Sequence, residues 1–236
     1  GGTAYGVNAA LAAGVARLGH VSSTAVTGRS SKGKPVDEAV PWVQDRNTSP
    51  YAVSKQQAEL EIRRGIAEGM DAVIVNPSVV FGAGAEGKSS LKIVEPLRRG
   101  TSFYPNGSNG YVDARDVAFA MVELCPKGKT GERYLLSGDI LTYRELFTCL
   151  AKAFAQRPPR RELKPWMLAL AWRLERMRSL LTGSPGMVTR YSAHSATSHY
   201  RYVTQKVQDT IGITFRPANE AIINAVKFLQ SGAADH

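Results

Sequence analysis

The sequence predicts an α/β fold, a parallel sheet covered by helices. Short apolar runs alternate with longer segments of helical period along the chain. Helix start and stop residues fall at the ends of the longer segments. Turn residues punctuate the intervals, as at Gly28, Gly33, Pro35 and Pro41. No internal repeat or low-complexity tract interrupts the alternation.

Taken in order, small and apolar residues from Thr3 to Ala16 predict a first helix, with Gly14 as a stop. A strand over 18–24 follows and carries Ser22 and Ser23. Ser49-Pro50 starts a helix reaching about Glu68, and Gly69 suits its C-terminal cap. Ala72 to Asn76 is a strand ending in an Asn-Pro-Ser turn. A helix is expected over 89–99, interrupted at Pro96. Pro105-Asn-Gly-Ser-Asn-Gly110 reads as a turn-rich loop. Val112 is extended, and the chain becomes helical from Ala114 to Leu124. Arg133 to Ser137 is a short strand. Thr142 caps a helix through Phe154. Pro217 to Leu229 forms a last amphipathic helix.

At 236 residues and 43% hydrophobic, the chain can bury one sizeable core, or one plus a small lobe. No apolar run is long enough to span a membrane, and no signal peptide is visible. Cys125 and Cys149 are isolated, so neither a disulfide framework nor a metal knuckle is expected, and a reduced, cytoplasmic setting is the default. The net charge is +10. Between Arg157 and Lys206 ten cations meet only Glu162 and Glu175. Solvated faces of a small lobe are the favoured reading; an anionic substrate or cofactor phosphate comes second. Nucleic acid is not expected, because no recognition motif accompanies the charge. Residues 165–181 form a Trp-bearing, Arg-rich amphipathic stretch. Such a stripe ordinarily packs on a lobe, so membrane-surface contact there is the minor reading.

The chemistry centres on Tyr51-Ala-Val-Ser-Lys55. Tyr and Lys four apart on a helix share one face. A tyrosine hydroxyl ordinarily titrates near 10, too high for proton transfer at neutral pH. A neighbouring cation favours the phenolate. A serine hydroxyl nearby can hold the substrate oxygen, so the set suits a carbonyl/alcohol pair. The hydride must then come from a cofactor. Gly82-Ala-Gly84-Ala-Glu-Gly87 also fits a dinucleotide fingerprint, but no acidic residue ends a strand about 20 positions on. A loop beside the site is the preferred reading. His20, His194 and His199 lack metal spacing, and no metal site is expected.

Several blocks together resemble the extended branch of the short-chain dehydrogenase/reductase family: Gly2-Thr3 with Ala9-Ala10 and Gly14-Val15, Val21-Ser22-Ser23, Tyr51 to Lys55, Asn76-Pro-Ser-Val-Val-Phe-Gly82 and Tyr111-Val-Asp-Ala-Arg-Asp-Val-Ala118. The resemblance implies a Rossmann-like doubly wound parallel sheet, lacking its N-terminal βαβαβ half, with a small C-terminal substrate lobe. It divides the chain into residues 1–137, the later part of the dinucleotide-binding domain, and 138–236, mostly substrate lobe. It implies NAD or NADP as cofactor, with Ser23, Tyr51 and Lys55 catalytic. Ser22, Tyr51, Lys55, Pro77, Ser78, Val79 and Val80 would bind the cofactor. Asp113 and Asp116 would hold local turn and cap geometry. It further implies a small-molecule substrate and a homodimer through the first helix and the Tyr51 helix. The Asn-Pro-Ser and Gly-Tyr-Val-Asp-Ala-Arg-Asp forms look most like dihydroflavonol-reductase and hydroxysteroid-dehydrogenase-like members. An alcohol/ketone oxidoreductase is therefore favoured. A nucleotide-sugar epimerase or dehydratase using the same triad is the alternative, followed by an inactive fragment or a non-catalytic binding protein.

Overall fold

The computed structural model describes residues 1–28, 34–83, 94, 97, 100–182 and 189–231. The described elements are α1 (Gly2–Ala12), β1 (Leu18–Val21), a 3-10 turn (Thr24–Val26), α2 (Pro50–Ala67), β2 (Ala72–Pro77), β3 (Val79–Phe81), β4 (Phe103–Pro105) and β5 (Ser108–Asp113). There follow α3 (Ala114–Lys127), β6 (Arg133–Leu136), β7 (Ile140–Thr142), α4 (Tyr143–Ala153), β8 (Arg161–Leu163), α5 (Pro165–Thr182), α6 (Arg190–Thr197), α7 (Gln205–Ile211) and α8 (Ala218–Gln230).

β2 is the organising strand, and all of its residues are buried. Parallel strands covered on both faces read as continuous apolar runs, which is why Ala72-Val-Ile-Val does not alternate. Successive side chains point to opposite faces. Ala72 and Ile74 enter a core with Val7, Ala10, Ile62 and Met70, supplied largely by α1 and α2. Val73 and Val75 enter another with Ala120, Leu124, Tyr134, Leu136 and Val207, supplied by α3, β6 and α7. β1 and β6 flank β2, both parallel to it, so the first sheet runs β1-β2-β6. A helix-covered parallel sheet is the α/β architecture expected.

The second sheet runs β3-β5-β7, with β3 parallel and β7 antiparallel to β5. Phe81, Tyr111, Leu146, Leu150, Ile222 and Val226 form its core with α4 and α8. The chain passes between sheets at Ser78, whose amide donates to Leu136 O at 2.8 Å. The expected Asn-Pro-Ser turn is therefore a junction between two strands. β4 and β8 pair separately in parallel.

Local expectations gave way at several places. The strand expected over 18–24 stops at Val21, because Ser23 Oγ accepts the Ala25 amide at 3.1 Å and caps the 3-10 turn. The first helix ends at Ala12, and Gly14 takes φ +61° beyond it. Most of the loop expected over 105–110 is strand. Ser108 to Gly110 pair with β7, and only Asn106 and Gly107 lie between strands. Pairing outcompeted turn composition there. A side chain at Gly107 would meet Ser198 O at 2.5 Å and Ala196 O at 2.6 Å, so that glycine serves a close backbone approach. The 165–181 stripe does not sink into a lobe: α5 meets α6, yet none of its residues is buried. Apart from the buried Val94 and Leu97, the helix expected over 89–99 lies outside the described residues, as do the glycines at 84 and 87.

Candidate active site

The carboxyl ends of β1 and β2 open onto a cleft of about 650 Å³. Ser22, Ser23, Tyr51, Lys55, Pro77, Ser78, Val79 and Val80 all line it. The structure thus brings every sequence-predicted site residue together. Open α/β sheets place ligand crevices at this end of their strands.

α2 sets the cleft's first wall. Ser49 Oγ accepts the Ala52 amide at 3.1 Å, and Pro50 occupies the first turn, where no amide donor is needed. Tyr51 consequently stands in the first turn and is 54% exposed. Lys55 lies one turn on, and its Nζ donates to Val21 O at 3.1 Å, tying the helix to the end of β1. Glu59 lies a turn further on the same face and is buried.

Asn76 joins these parts. Its Nδ2 donates to Glu59 Oε1 at 2.7 Å and to Ser23 O at 3.1 Å. Arg133 Nη1 lies 3.8 Å from Glu59 Oε2. One buried amide therefore holds the serine segment against the Tyr51 helix. His20 sits beside this network. Burial, then the Lys55 cation, lowers its imidazole below the usual range, with Glu59 opposing.

Another wall of the cleft comes from later in the chain. Tyr191, Ser192 and Ser195 of α6 line it, with Asn109, Tyr200 and Tyr202. The rings of Tyr200 and Tyr202 stack at 6.4 Å. Tyr202 hydrogen-bonds Thr24, and burial holds its phenol well above the ordinary value. Sequence reading missed this wall. Its one local signal is Tyr200-Arg-Tyr202, whose spacing puts both rings on one side of an extended segment. Glu59 was missed as well, and its signal is the 51/55/59 spacing along one helix face.

Asp113 caps α3, accepting from Arg115 N at 2.8 Å and Arg115 Nη2 at 2.6 Å. Burial pushes its carboxyl upward, but the Arg115 hydrogen bonds outweigh burial and hold it below the usual range. Asp116 accepts the Arg216 amide at 2.7 Å and pairs with its guanidinium. Both act as packing and capping groups. Among the described residues no cluster of three or more His, Cys, Asp or Glu could hold a metal. No described helix is long and apolar enough to cross a membrane. A larger groove of about 1140 Å³ between α4 and α8 gathers none of the predicted site residues.

Comparison with known proteins decides the family, since residues 1–137 match the NAD dependent epimerase/dehydratase family. The chain belongs to that family. This epimerase/dehydratase-family chain is 28% identical over 226 residues to a Synechocystis protein named "Putative dihydroflavonol 4-reductase", covering 93% of the chain and 66% of the relative. It is 27% identical over 169 residues to cinnamoyl-CoA reductase 2 of Arabidopsis thaliana, covering 70% of the chain and 42% of the relative. The chain thus spans less than two thirds of the length of either relative. The crystal structure of gox2253 superposes with a TM-score of 0.81 at 28% identity, covering 99% of the chain and 72% of that structure. A nucleoside-diphosphate-sugar epimerase from Pseudomonas aeruginosa shares the fold, with a TM-score of 0.78 at 20% identity, over 97% of the chain and 71% of that structure.

Proposed function

We propose that this chain carries the catalytic side of an NAD(P)-dependent reductase that interconverts a ketone and a secondary alcohol. The observation that supports it is the convergence of Tyr51, Lys55, Ser23 and the Pro77–Val80 edge on one cleft. Bound there, NAD or NADP would supply the hydride that no side chain can. The cleft suits such a group: Ser22 Oγ and Ser78 Oγ are buried in its wall without hydrogen-bond partners, ready for a ligand's polar atoms. Pro77 to Val80 would edge the nicotinamide, and Lys55 would reach its ribose.

Tyr51 donates its hydroxyl proton to the substrate oxygen as the carbonyl becomes an alcohol, and takes it back in the reverse direction. The Lys55 ammonium, one turn away, favours the phenolate left behind. Ser23 Oγ accepts a bond from the Ala25 amide, which leaves its own proton to donate to the same substrate oxygen. Tyr191, Tyr200 and Tyr202, from the 138–236 lobe, would line the substrate's part of the cleft.

Lys55 is the only cation among the described cleft residues. A nucleotide sugar brings a diphosphate, which is ordinarily met by Arg or Lys. The stacked tyrosines instead offer a flat apolar face. A neutral ketone therefore fits better than a nucleotide sugar. A homodimer through α1 and α2 completes the proposal. α1 is apolar on nearly every side, with Tyr5 exposed, and Leu60 of the adjoining α2 is exposed too.

The test uses the full open reading frame that contains this chain. NADH and NADPH are titrated by nicotinamide fluorescence, then turnover is followed with neutral ketones and with nucleotide sugars. Ketone-dependent cofactor oxidation, lowered about 10²–10⁴-fold by Tyr51→Phe with binding retained, is the expected result. Sugar epimerisation without net cofactor oxidation would transfer the site to the epimerase class. Absence of cofactor binding would leave a non-catalytic protein.

A further inference from the structure

α5 is an anomaly. It runs 18 residues without one buried side chain. Trp166, Leu170, Leu174, Met177 and Leu181 recur every three or four residues and fall on one face. Their exposures are 62%, 49%, 55%, 60% and 85%, and neighbouring Leu180 is 78% exposed. The stripe, with Arg173 set into it, therefore presents an apolar face about 23 Å long. Scattered exposed apolar residues need no explanation, but a contiguous patch does.

The charge around the stripe points to its occupant. Lys164 precedes the helix, Arg176 and Arg178 lie along the flanks of the stripe, and Arg173 lies within it, three residues after Leu170 and four before Met177. Arg178 pairs with Glu175 at 2.9 Å, and the Arg173 guanidinium stacks over Trp172 at 5.0 Å. The surrounding 157–206 region holds ten cations and two anions. A second copy of the chain laid face to face would bring arginines against arginines. Nucleic acid would leave six large apolar side chains without a purpose. An anionic bilayer takes both features: the apolar face enters the acyl boundary, Trp sits at headgroup level, and arginines meet lipid phosphates.

We propose that α5 is an interfacial helix that docks the protein on an anionic lipid surface. The inference does not rest on the reductase reading, since α5 supplies no residue to the cleft.

The experiment is vesicle co-sedimentation of the full chain. One set of vesicles is phosphatidylcholine alone, and the other contains a third phosphatidylglycerol. Binding is expected to the anionic set only, weakening as salt rises. Trp emission should shift to the blue on binding. Arg173→Glu with Arg176→Glu should lower partitioning about tenfold or more. Leu170→Ser with Met177→Ser should do the same at constant charge. Unchanged circular dichroism shows that both variants fold. No binding to either vesicle set overturns the proposal and leaves an acidic protein as the remaining occupant. Binding that neither double variant weakens overturns it as well. So does a solution dimer that the Leu170/Met177 variant abolishes, which would assign the face to a second copy.

Discussion

Replacing Asn76 with alanine should unfold this protein far more readily than any nearby surface change. The Asn76 amide is fully buried and donates two hydrogen bonds, to Glu59 Oε1 at 2.7 Å and to Ser23 O at 3.1 Å. The first is charge-assisted and worth about 1.5–3 kcal/mol, the second about 0.5–1.5 kcal/mol. Removing the donor also strands Glu59, buried and with Arg133 no nearer than 3.8 Å. An unpaired buried charge costs several kcal/mol more, part of which overlaps the lost bond. The net loss should be about 3–5 kcal/mol, against total stabilities of about 5–15 kcal/mol for ordinary domains. Urea unfolding monitored by circular dichroism measures it. Adding Glu59→Gln to Asn76→Ala should return about 1–2 kcal/mol, because the second change removes the stranded charge. A loss below about 1 kcal/mol for Asn76→Ala would refute the reasoning. So would a Glu59→Gln effect that simply adds to it.

Further outcomes follow from the same structure. Burial raises the phenols of Tyr111 and Tyr202 well above the ordinary range and pushes Tyr143 up to about 12. Their folded-state values exceed the unfolded value near 10, so their contribution is complete below pH 10 and falls as pH rises beyond it. Each costs about 1.4 kcal/mol per pH unit there, and alkaline titration should show loss of structure before these phenols ionise. Thr142 caps α4 in a reciprocal box with Glu145, so Thr142→Ala should cost about 0.5–2 kcal/mol in thermal or urea unfolding. Ile74→Ala, at a fully buried β2 position, should cost about 2–5 kcal/mol. Leu60→Glu places a charge on the proposed dimer face, and sedimentation should then give a monomer with little change in unfolding midpoint.

Local patterns determined much of the architecture. Ser49, Pro50 and Gly69 mark α2, Thr142 marks α4, and the uninterrupted Ala72-Val-Ile-Val run marks the central strand. Tyr51 and Lys55 share a face through helical period alone, so the pair was legible before any tertiary contact. Where local and tertiary terms competed, as at Ser108 to Gly110, sheet pairing prevailed over turn composition.

By itself, then, the sequence determined the alternation of strands and helices and the Tyr51/Lys55 pair, because both follow from short-range chain geometry. Only the tertiary structure decided that Asn76 links Glu59 to Ser23, that Tyr200 and Tyr202 line the same cleft as Tyr51, that the Asn76-Pro77-Ser78 turn joins two sheets, and that the α5 stripe stays exposed. Those arrangements join residues far apart in the chain, or depend on whether a partner surface exists, and neither is encoded in periodicity. A stripe of apolar residues looks the same in sequence whether another element covers it or nothing does.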